Sequence, residues 1–166
     1  FVSLQGGNTA ALTFNHVPLQ EEWILAQDAQ AFLAENRPSF LGYQFGLALG
    51  LAEKSLEEVE ANLSVRSILR EEREEQVATL TAIQDQLYRG LIQPAYFVER
   101  PKELFQLRID IVDVVAQSLL LELQASGGRG YLSNSTSGFI RRWNEGAFLP
   151  IVSPSAVQLR HILEVS

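Results

Sequence analysis

Three long segments of this chain carry apolar residues three or four positions apart, and this spacing limits the possible folds more than any other feature of the sequence. Such spacing places an apolar stripe along one side of a helix, and the stripe is stable only when other helices cover it. The third segment is the most apolar, so we expect it to form the central helix. In chain order, the stripe residues are Leu41, Phe45, Ala48, Ala52, Leu56, Val59 and Leu63; then Val77, Leu80, Ile83, Leu87 and Leu91; then Leu104, Leu107, Ile111, Val114, Val115, Ala116, Leu119, Leu120 and Leu123.

Proline, glycine and serine residues indicate where these helices begin and end. We expect Pro38 to lie in the first turn of the first helix, and Pro101 to begin the third, because a first-turn residue needs no N–H partner. The glycine-rich run Gly127–Gly130 ends the third helix, since glycine readily adopts a positive φ. A fourth helix is predicted to follow Ser153 as its N-cap and Pro154 as its first residue.

Short connections make long consecutive helices pack as antiparallel neighbours, and the fourth helix completes an antiparallel four-helix bundle. The beginning of the chain differs, because Leu12–Val17 alternates apolar and polar residues as a half-buried strand does. The sequence therefore predicts an all-α domain over residues 28–166, preceded by a short β or extended segment over residues 1–27. A lone strand is unstable, so this segment would belong to a larger sheet or dock on the helices.

The charge balance restricts the partners. The chain has 20 Asp and Glu against 13 Lys and Arg, a net charge of -7, which repels phosphate backbones and anionic membranes. We therefore expect neither nucleic acid nor a membrane as a partner, although grouped Arg side chains can still bind an anionic small molecule.

Cysteine is absent from the sequence, which excludes disulfides, thiolate metal ligands and a cysteine nucleophile. The acidic run Arg70–Glu75 has no His at ligand spacing, so we interpret it as a solvated helix surface and predict no metal site. The first residues lack both an initiator Met and a basic leader, so we expect the chain to be part of a longer protein. We expect that protein to be cytoplasmic.

Two stretches near the C-terminus resemble motifs of the acyl-CoA dehydrogenase family. Residues 124–131, Gln-Ala-Ser-Gly-Gly-Arg-Gly-Tyr, with Arg142 beyond them, resemble the family's Q-x-x-G-G-x-G-Y…R-D stretch, and residues 153–163 resemble its closing E-G-T-S-x-I-Q-R-x-I helix. Residues 36–52 are similar to its first bundle helix, with R-P and G-x-A-x-G-x-A, and residues 12–25 to the end of its middle β domain. The resemblance covers nearly the whole chain and keeps the order of its parts.

The resemblance implies the C-terminal domain of an FAD-dependent oxidoreductase that acts on acyl-CoA or another small-molecule substrate, with residues 1–27 as a remnant of the β domain. It also implies a homo-oligomer assembled through the helical bundle. The glycine return and the final helix would together wall one side of a flavin pocket. The implied cofactor-binding residues are Gln124, Gly127 and Gly128, which would touch the FAD of a neighbouring subunit, and Ser155; the implied substrate-binding residues are Arg37 and Arg142.

The sequence departs from the family at the catalytic base. Ser153 stands where the family has its proton-abstracting Glu, and an unactivated hydroxyl is too weak a base for that role. Some members carry the base on the first bundle helix, at the position of Asn36 here. Glu35 is adjacent to that position, but one residue corresponds to about 100° around a helix. The catalytic residue therefore stays unassigned, with Glu35 as an alternative.

Two further functions remain open because of these departures. A flavin-dependent monooxygenase of the same superfamily needs no α-proton base, which agrees with Ser153. A degenerate bundle kept for oligomerisation or partner binding agrees with a second loss, since Val65–Ile68 stands where the family has its R-x-x-F-G flavin motif. In each case we expect the chain by itself to be inactive.

Overall fold

The computed structural model describes residues 3–132, 134 and 137–165, and these residues form an all-α structure without strands. The predicted all-α class is therefore confirmed. The helices are α1 (Ala29–Asn62), α2 (Arg70–Leu91), α3 (Tyr96–Glu99), α4 (Pro101–Ser126), α5 (Phe139–Phe148) and α6 (Ala156–Val165), with 3-10 turns at Gln5–Gly7, Glu21–Trp23, Ser67–Leu69, Gly127–Arg129 and Leu149–Ile151. No helix in this part of the chain is both long enough and apolar enough to cross a lipid bilayer.

Helix α4 is the centre of the fold, as its apolar sequence predicted. It contacts α1, α2, α3, α5 and α6, and its contact with α1 is the most extensive in the protein. It begins at Pro101 and ends before Gly127, which has a φ of 60°, so both predicted bounds are confirmed. The core side chains that are almost fully buried include Leu41, Phe45, Ala52, Val59, Leu104, Ile111, Val115, Leu121, Phe139 and Leu159.

Helix α2 runs antiparallel to α1. Arg73, near the start of α2, donates from Nε to the carbonyl oxygen of Leu56 at 3.1 Å. Leu91, at the other end of α2, lies against Gly42 in the first half of α1. The short connection thus produces the antiparallel pair that the sequence predicted.

Helices α1 and α4 run parallel. Gln44 of α1 lies beside Arg108, and Ser55 lies further along α1 beside Glu122. Contacts therefore advance in the same direction along both helices. Helix α2 returns the chain to the level of the beginning of α1, and α4 starts from there.

The strand predicted at Leu12–Val17 is wrong. Residues 8–15 and 17–20 have no regular secondary structure, and the side chains of this stretch are exposed. A strand needs a partner for its backbone groups, and the described residues offer none. His16 also has a φ of 52°, which interrupts an extended chain. That residues 1–27 are a remnant of a β domain stays a prediction.

The predicted place of Pro38 in the first turn is also wrong, because α1 begins nine residues earlier in the chain, at Ala29. Asp28 caps this start, with its Oδ1 accepting from the N–H groups of Gln30 and Ala31, each at 3.0 Å. A carboxylate at the N-cap satisfies N–H groups that have no partner within the helix. Pro38 therefore lies inside the helix, and residues 29–36 extend from the core as exposed turns.

The last helix begins at Ala156 rather than at Pro154, so the prediction of Ser153 as N-cap is wrong. Ser155 has that role. Its Oγ accepts from the Gln158 N–H at 3.2 Å, and its own N–H donates to Gln158 Oε1 at 2.8 Å. This reciprocal pair is a capping box.

Helix α5 lies between the predicted third and fourth helices, in a segment for which the sequence predicted no helix. It packs against α4 at Gly146, where a Cβ would lie 2.3 Å from Leu119 Cδ1 and 3.3 Å from Val115 Cγ1. The missing side chain is therefore what allows α5 to approach α4 closely.

We expect Gly146→Ala to lower the free energy of unfolding by about 2 kcal/mol, because a methyl group there forces the two helices apart. Gly50→Ala is the matched control. It also replaces a glycine inside a helix, but nothing lies within 4 Å of its Cβ position, so we expect a gain of about 1 kcal/mol from helix propensity alone. Urea unfolding of both variants measures the difference, and changes of the same sign would contradict the packing described here.

Candidate functional site

One face of α1 is apolar, exposed and free of charge. Phe40, Tyr43 and Leu47 follow one another at helical spacing and are 57%, 84% and 61% exposed. No charged residue occurs between Arg37 and Glu53. Large exposed apolar patches of this kind are typical of surfaces that bind a ligand or a partner.

A groove beside this face separates α1 from α5 and the turn that follows α5. Its cavity measures about 480 Å³, and its lining is mostly apolar with three charged residues. Gly46 and Gly50 leave its α1 side open, since no atom lies within 4 Å of either Cβ position. The lining residues are Leu4, Gly46, Leu47, Gly50, Leu51, Lys54, Arg142, Glu145, Phe148, Leu149 and Val152.

The segment from Leu149 to Ser155 borders the groove and contains two of the residues singled out from the sequence. Gln44 of α1 donates from Nε2 to the Ser153 carbonyl oxygen at 2.9 Å, which holds this segment against α1. The Ser153 side chain is exposed, and that of Ser155 is half-buried. The Ser155 hydroxyl accepts the cap hydrogen bond of α6 and keeps its own O–H for a further acceptor.

Arg37 and Glu35 lie at the beginning of the buried part of α1. The Arg37 guanidinium is 5.3 Å from the centre of the Phe105 ring, a cation–π distance that fixes the side chain against α4. Glu35 is exposed and lies about 100° around the helix from Asn36. Asn36, Phe40, Tyr43 and Leu47 share one face, so Glu35 points away from that face.

Arg142 belongs to a buried ion pair. Its side chain is 11% exposed and pairs with Glu122, which is fully buried, through Nη2–Oε1 and a second bond from Nε to Oε2 at 3.1 Å. The hydrogen bonds to Glu122 raise the pKa of Arg142 above its usual value. Ser55 completes the cluster by donating to Glu122 Oε2 at 2.8 Å. The guanidinium predicted to bind substrate is thus occupied in joining α5 to α4 and α1.

Gln124, Gly127 and Gly128 lie at the C-terminal end of α4. Arg66 donates from Nε to the Gln124 carbonyl oxygen at 2.9 Å, while the side chain of Gln124 is exposed. Gly127 has positive φ, and nothing lies within 4 Å of the Cβ position of Gly128. The Arg66 guanidinium occupies the space in front of Gly127, where a Cβ would lie 2.5 Å from its Nη2. Only the backbone of Gly128 is therefore open to close approach by another group.

The two groups of candidate residues are separated along α4. Ser153 is joined through Gln44 to Arg108, whereas the glycine return begins after Ser126. The sixteen residues from Arg108 to Gln124 correspond to about 24 Å of helix. A single chain therefore does not place the glycine return and the start of α6 on one common wall.

Sequence reasoning did not predict the contacts of three polar residues that organise this region, namely Gln44, Arg108 and Glu122. All three are buried. A readable signal existed for two of them, because Arg108 and Glu122 fall in register with the apolar stripe of the third helix, between Leu104 and Leu123.

No family model matches this sequence, and the searches of curated proteins and of solved structures each returned no significant match.

Proposed function

We propose that this chain is the C-terminal helical domain of an acyl-CoA dehydrogenase-like flavoprotein oxidoreductase. The complete protein would remove an α proton from an acyl-CoA thioester and pass a hydride from the β carbon to FAD. The chain would supply one side of the substrate site and outward-facing contacts to the cofactor. It is not expected to catalyse the reaction alone.

The observation that carries this proposal is the hydrogen bond between Gln44 and Ser153, which are 109 residues apart in the sequence. In the family that the sequence resembles, the base is found either on the first bundle helix or before the final helix. Two such positions can serve one reaction only when these segments are neighbours. Here α1 and the segment containing Ser153 are neighbours, and the uncharged face of α1 continues from their contact.

The proposed ligand contacts follow from this arrangement. An acyl chain would lie along Phe40, Tyr43 and Leu47, because burial of its methylene groups against an apolar surface is favourable. Arg37 would lie toward the thioester end of the substrate, and Ser155 would contact the flavin. The proposed fold is a four-helix bundle of α1, α2, α4 and α6, with α5 as an added helix.

The proposed oligomer follows from the glycine return. The exposed Gln124 side chain and the open backbone of Gly128 lie far along α4 from Ser155, so the two groups would contact different FAD molecules. In a homo-oligomer formed through the bundle, the glycine return of one subunit would contact the FAD of its neighbour. This arrangement explains why both groups resemble flavin contacts although they are separated in one chain.

Ser153 favours a second candidate, a flavin-dependent monooxygenase of the same superfamily, because oxygen activation by a reduced flavin needs no base at this position. Arg66 favours a third, a non-catalytic bundle. It lies where the family has a flavin-binding motif, but its Nε donates to the backbone of Gln124 at 2.9 Å instead.

Anaerobic titration of the full-length parent with a panel of acyl-CoA thioesters separates these functions. Bleaching of a yellow flavin by an acyl-CoA supports the dehydrogenase, whereas turnover only with NADH, a flavin reductase and oxygen supports the monooxygenase. A colourless protein supports the non-catalytic bundle.

A charged side chain on the apolar face tests the substrate surface directly. We expect Tyr43→Asp to weaken acyl-CoA binding at least about tenfold, since it places a charge where the acyl chain would lie. Tyr88→Asp is the matched control, because Tyr88 is also exposed but lies on α2. Equal effects of the two substitutions would show that the face does not bind the acyl chain.

A further inference from the structure

Arg108 is a buried cation without a carboxylate partner among the described residues. It is 1% exposed, and its Nη1 has no hydrogen-bond partner. Its Nη2 donates to the Leu149 carbonyl oxygen at 3.0 Å, and its Nε donates to Gln44 Oε1 at 3.4 Å. Burial lowers the pKa of Arg108. A buried charge is costly unless other groups compensate it. The Leu149 carbonyl oxygen and Gln44 Oε1 provide this compensation.

The nearby carboxylates on α4 are directed elsewhere. Asp110 accepts from Gln106 at 2.7 Å, and Asp113 lies 3.6 Å from Arg160 of α6. Because Asp110 and Asp113 interrupt an apolar helix, the sequence predicts a cationic partner for them, either Arg108 or an Arg of a neighbouring helix. For Asp113 the partner is the neighbouring Arg160.

The C-terminal end of α5 supplies negative potential for Arg108. Leu149 is the C-cap of α5, and the last carbonyl groups of a helix carry a partial negative charge. Arg108 thus fixes the point at which the chain leaves α5 and enters the segment that leads to Ser153.

Arg108 also determines the orientation of the Gln44 amide. A guanidinium only donates hydrogen bonds, so the oxygen of the Gln44 amide must face Arg108. The amide nitrogen then faces the opposite direction, toward the Ser153 carbonyl oxygen, which can only accept. If the Gln44 amide were reversed, its NH2 group would face the donors of Arg108. Its oxygen would face the Ser153 carbonyl oxygen, and neither hydrogen bond could form.

We infer that Arg108 and Gln44 are positioning residues that hold the Leu149–Ser153 segment at the edge of the α1 face. Arg108 binds the Leu149 carbonyl oxygen at the start of the segment. It also orients the Gln44 amide, which binds the Ser153 carbonyl oxygen at the end of the segment. The inference rests on the proposed function only in treating this segment as part of a substrate site.

Gln44→Glu separates positioning from general stability. The carboxylate can still accept from Arg108, and the charge pair supports the fold, but it has no donor for Ser153 and repels its carbonyl group. The reporter is the backbone N–H of Val152, which donates to Leu149 at 3.3 Å and closes a 3-10 turn. We expect its hydrogen exchange, followed by NMR in the 166-residue chain, to accelerate about fivefold, the factor expected for one net hydrogen bond.

The Leu69 N–H is the internal control, because it donates to Arg66 at 3.1 Å and closes the equivalent turn before α2. We expect it to change less than about twofold, within the usual effect of a distant substitution. Gln84→Glu is the matched variant. Gln84 donates to Glu53 on the surface at 2.5 Å, and its replacement should leave Val152 unchanged.

Gln44→Met tests the same inference without a new charge, and it too should accelerate exchange at Val152. Unchanged exchange at Val152 in both Gln44 variants would overturn the inference, and so would equal acceleration at Val152 and Leu69. Neither measurement involves flavin or substrate, so the inference can fail while the proposed function stands, and the reverse also holds.

Discussion

Replacing Arg142 with methionine is expected to lower the free energy of unfolding by about 3 to 5 kcal/mol, because it leaves a fully buried carboxylate without its cation. Glu122 has no exposed surface, and the Ser55 hydroxyl that remains beside it cannot neutralise the charge. Urea denaturation monitored by circular dichroism measures the loss.

Two further variants identify the buried charge as the cause. The double variant Glu122→Leu with Arg142→Met should recover most of the loss, since no unpaired charge remains. Arg141→Met removes a neighbouring, exposed Arg that pairs with Glu145 at 2.8 Å, and it should cost far less stability than Arg142→Met, because solvent screens an exposed pair. A loss for Arg142→Met no larger than that for Arg141→Met would contradict the buried pair.

Replacing Pro38 with alanine is expected to stabilise the beginning of α1 by about 3 kcal/mol. Inside a helix, proline lacks the N–H that would bond to the Ala34 carbonyl group, and its ring crowds that carbonyl. Residues 29–36 have few tertiary contacts to offset this cost. Amide exchange in this part of α1 should therefore slow by about a hundredfold, whereas exchange in the core should change little.

Pro101→Ala is the control for Pro38→Ala. Pro101 stands at the first position of α4, where the missing N–H would have no helical partner. Its replacement should change protection within α4 by less than about threefold. Similar changes in amide exchange for Pro38→Ala and Pro101→Ala would contradict the placement of Pro38 in the interior of α1.

Much of the helical core follows directly from the sequence because its stripes are long. The third helix repeats its apolar spacing from Leu104 to Leu123, which is between about five and six turns. The same stripe contains Arg108 and Glu122, which periodicity alone places inside the protein. Their partners cannot be obtained in this way, since Leu149 and Arg142 come from a later segment whose position only the folded chain defines.

The errors occurred where two local signals competed. Pro38 favoured a helix start, but the carboxylate of Asp28 provides a better one and the helix tolerates the proline. Ser153 before a proline suggested a cap, whereas the pair Ser155 and Gln158 has the spacing of a capping box. Helix α5 was missed because ten residues are too few to establish a period beside a glycine-rich segment.

The candidate site was only partly accessible from the sequence. The sequence shows that no charged residue lies between Arg37 and Glu53. It does not show that this face is exposed, because a buried face has the same apolar spacing. The contact of Gln44 with Ser153 depends on how α5 returns along α4. That return is set by tertiary packing at Gly146 rather than by any local motif.

The parallel direction of α1 and α4 affects the cost of assembling the chain. Joining Arg73 to Leu56 closes a loop of 17 residues, at an entropic cost of about 2.5 kcal/mol, whereas joining Ser55 to Glu122 from an open chain closes 67 and costs about 4 kcal/mol. Two parallel helices can never be joined by a tight turn. The most extensive interface of the protein is therefore more expensive to initiate than the α1–α2 pair, and pairing α1 with α2 first shortens the loop that remains to be closed.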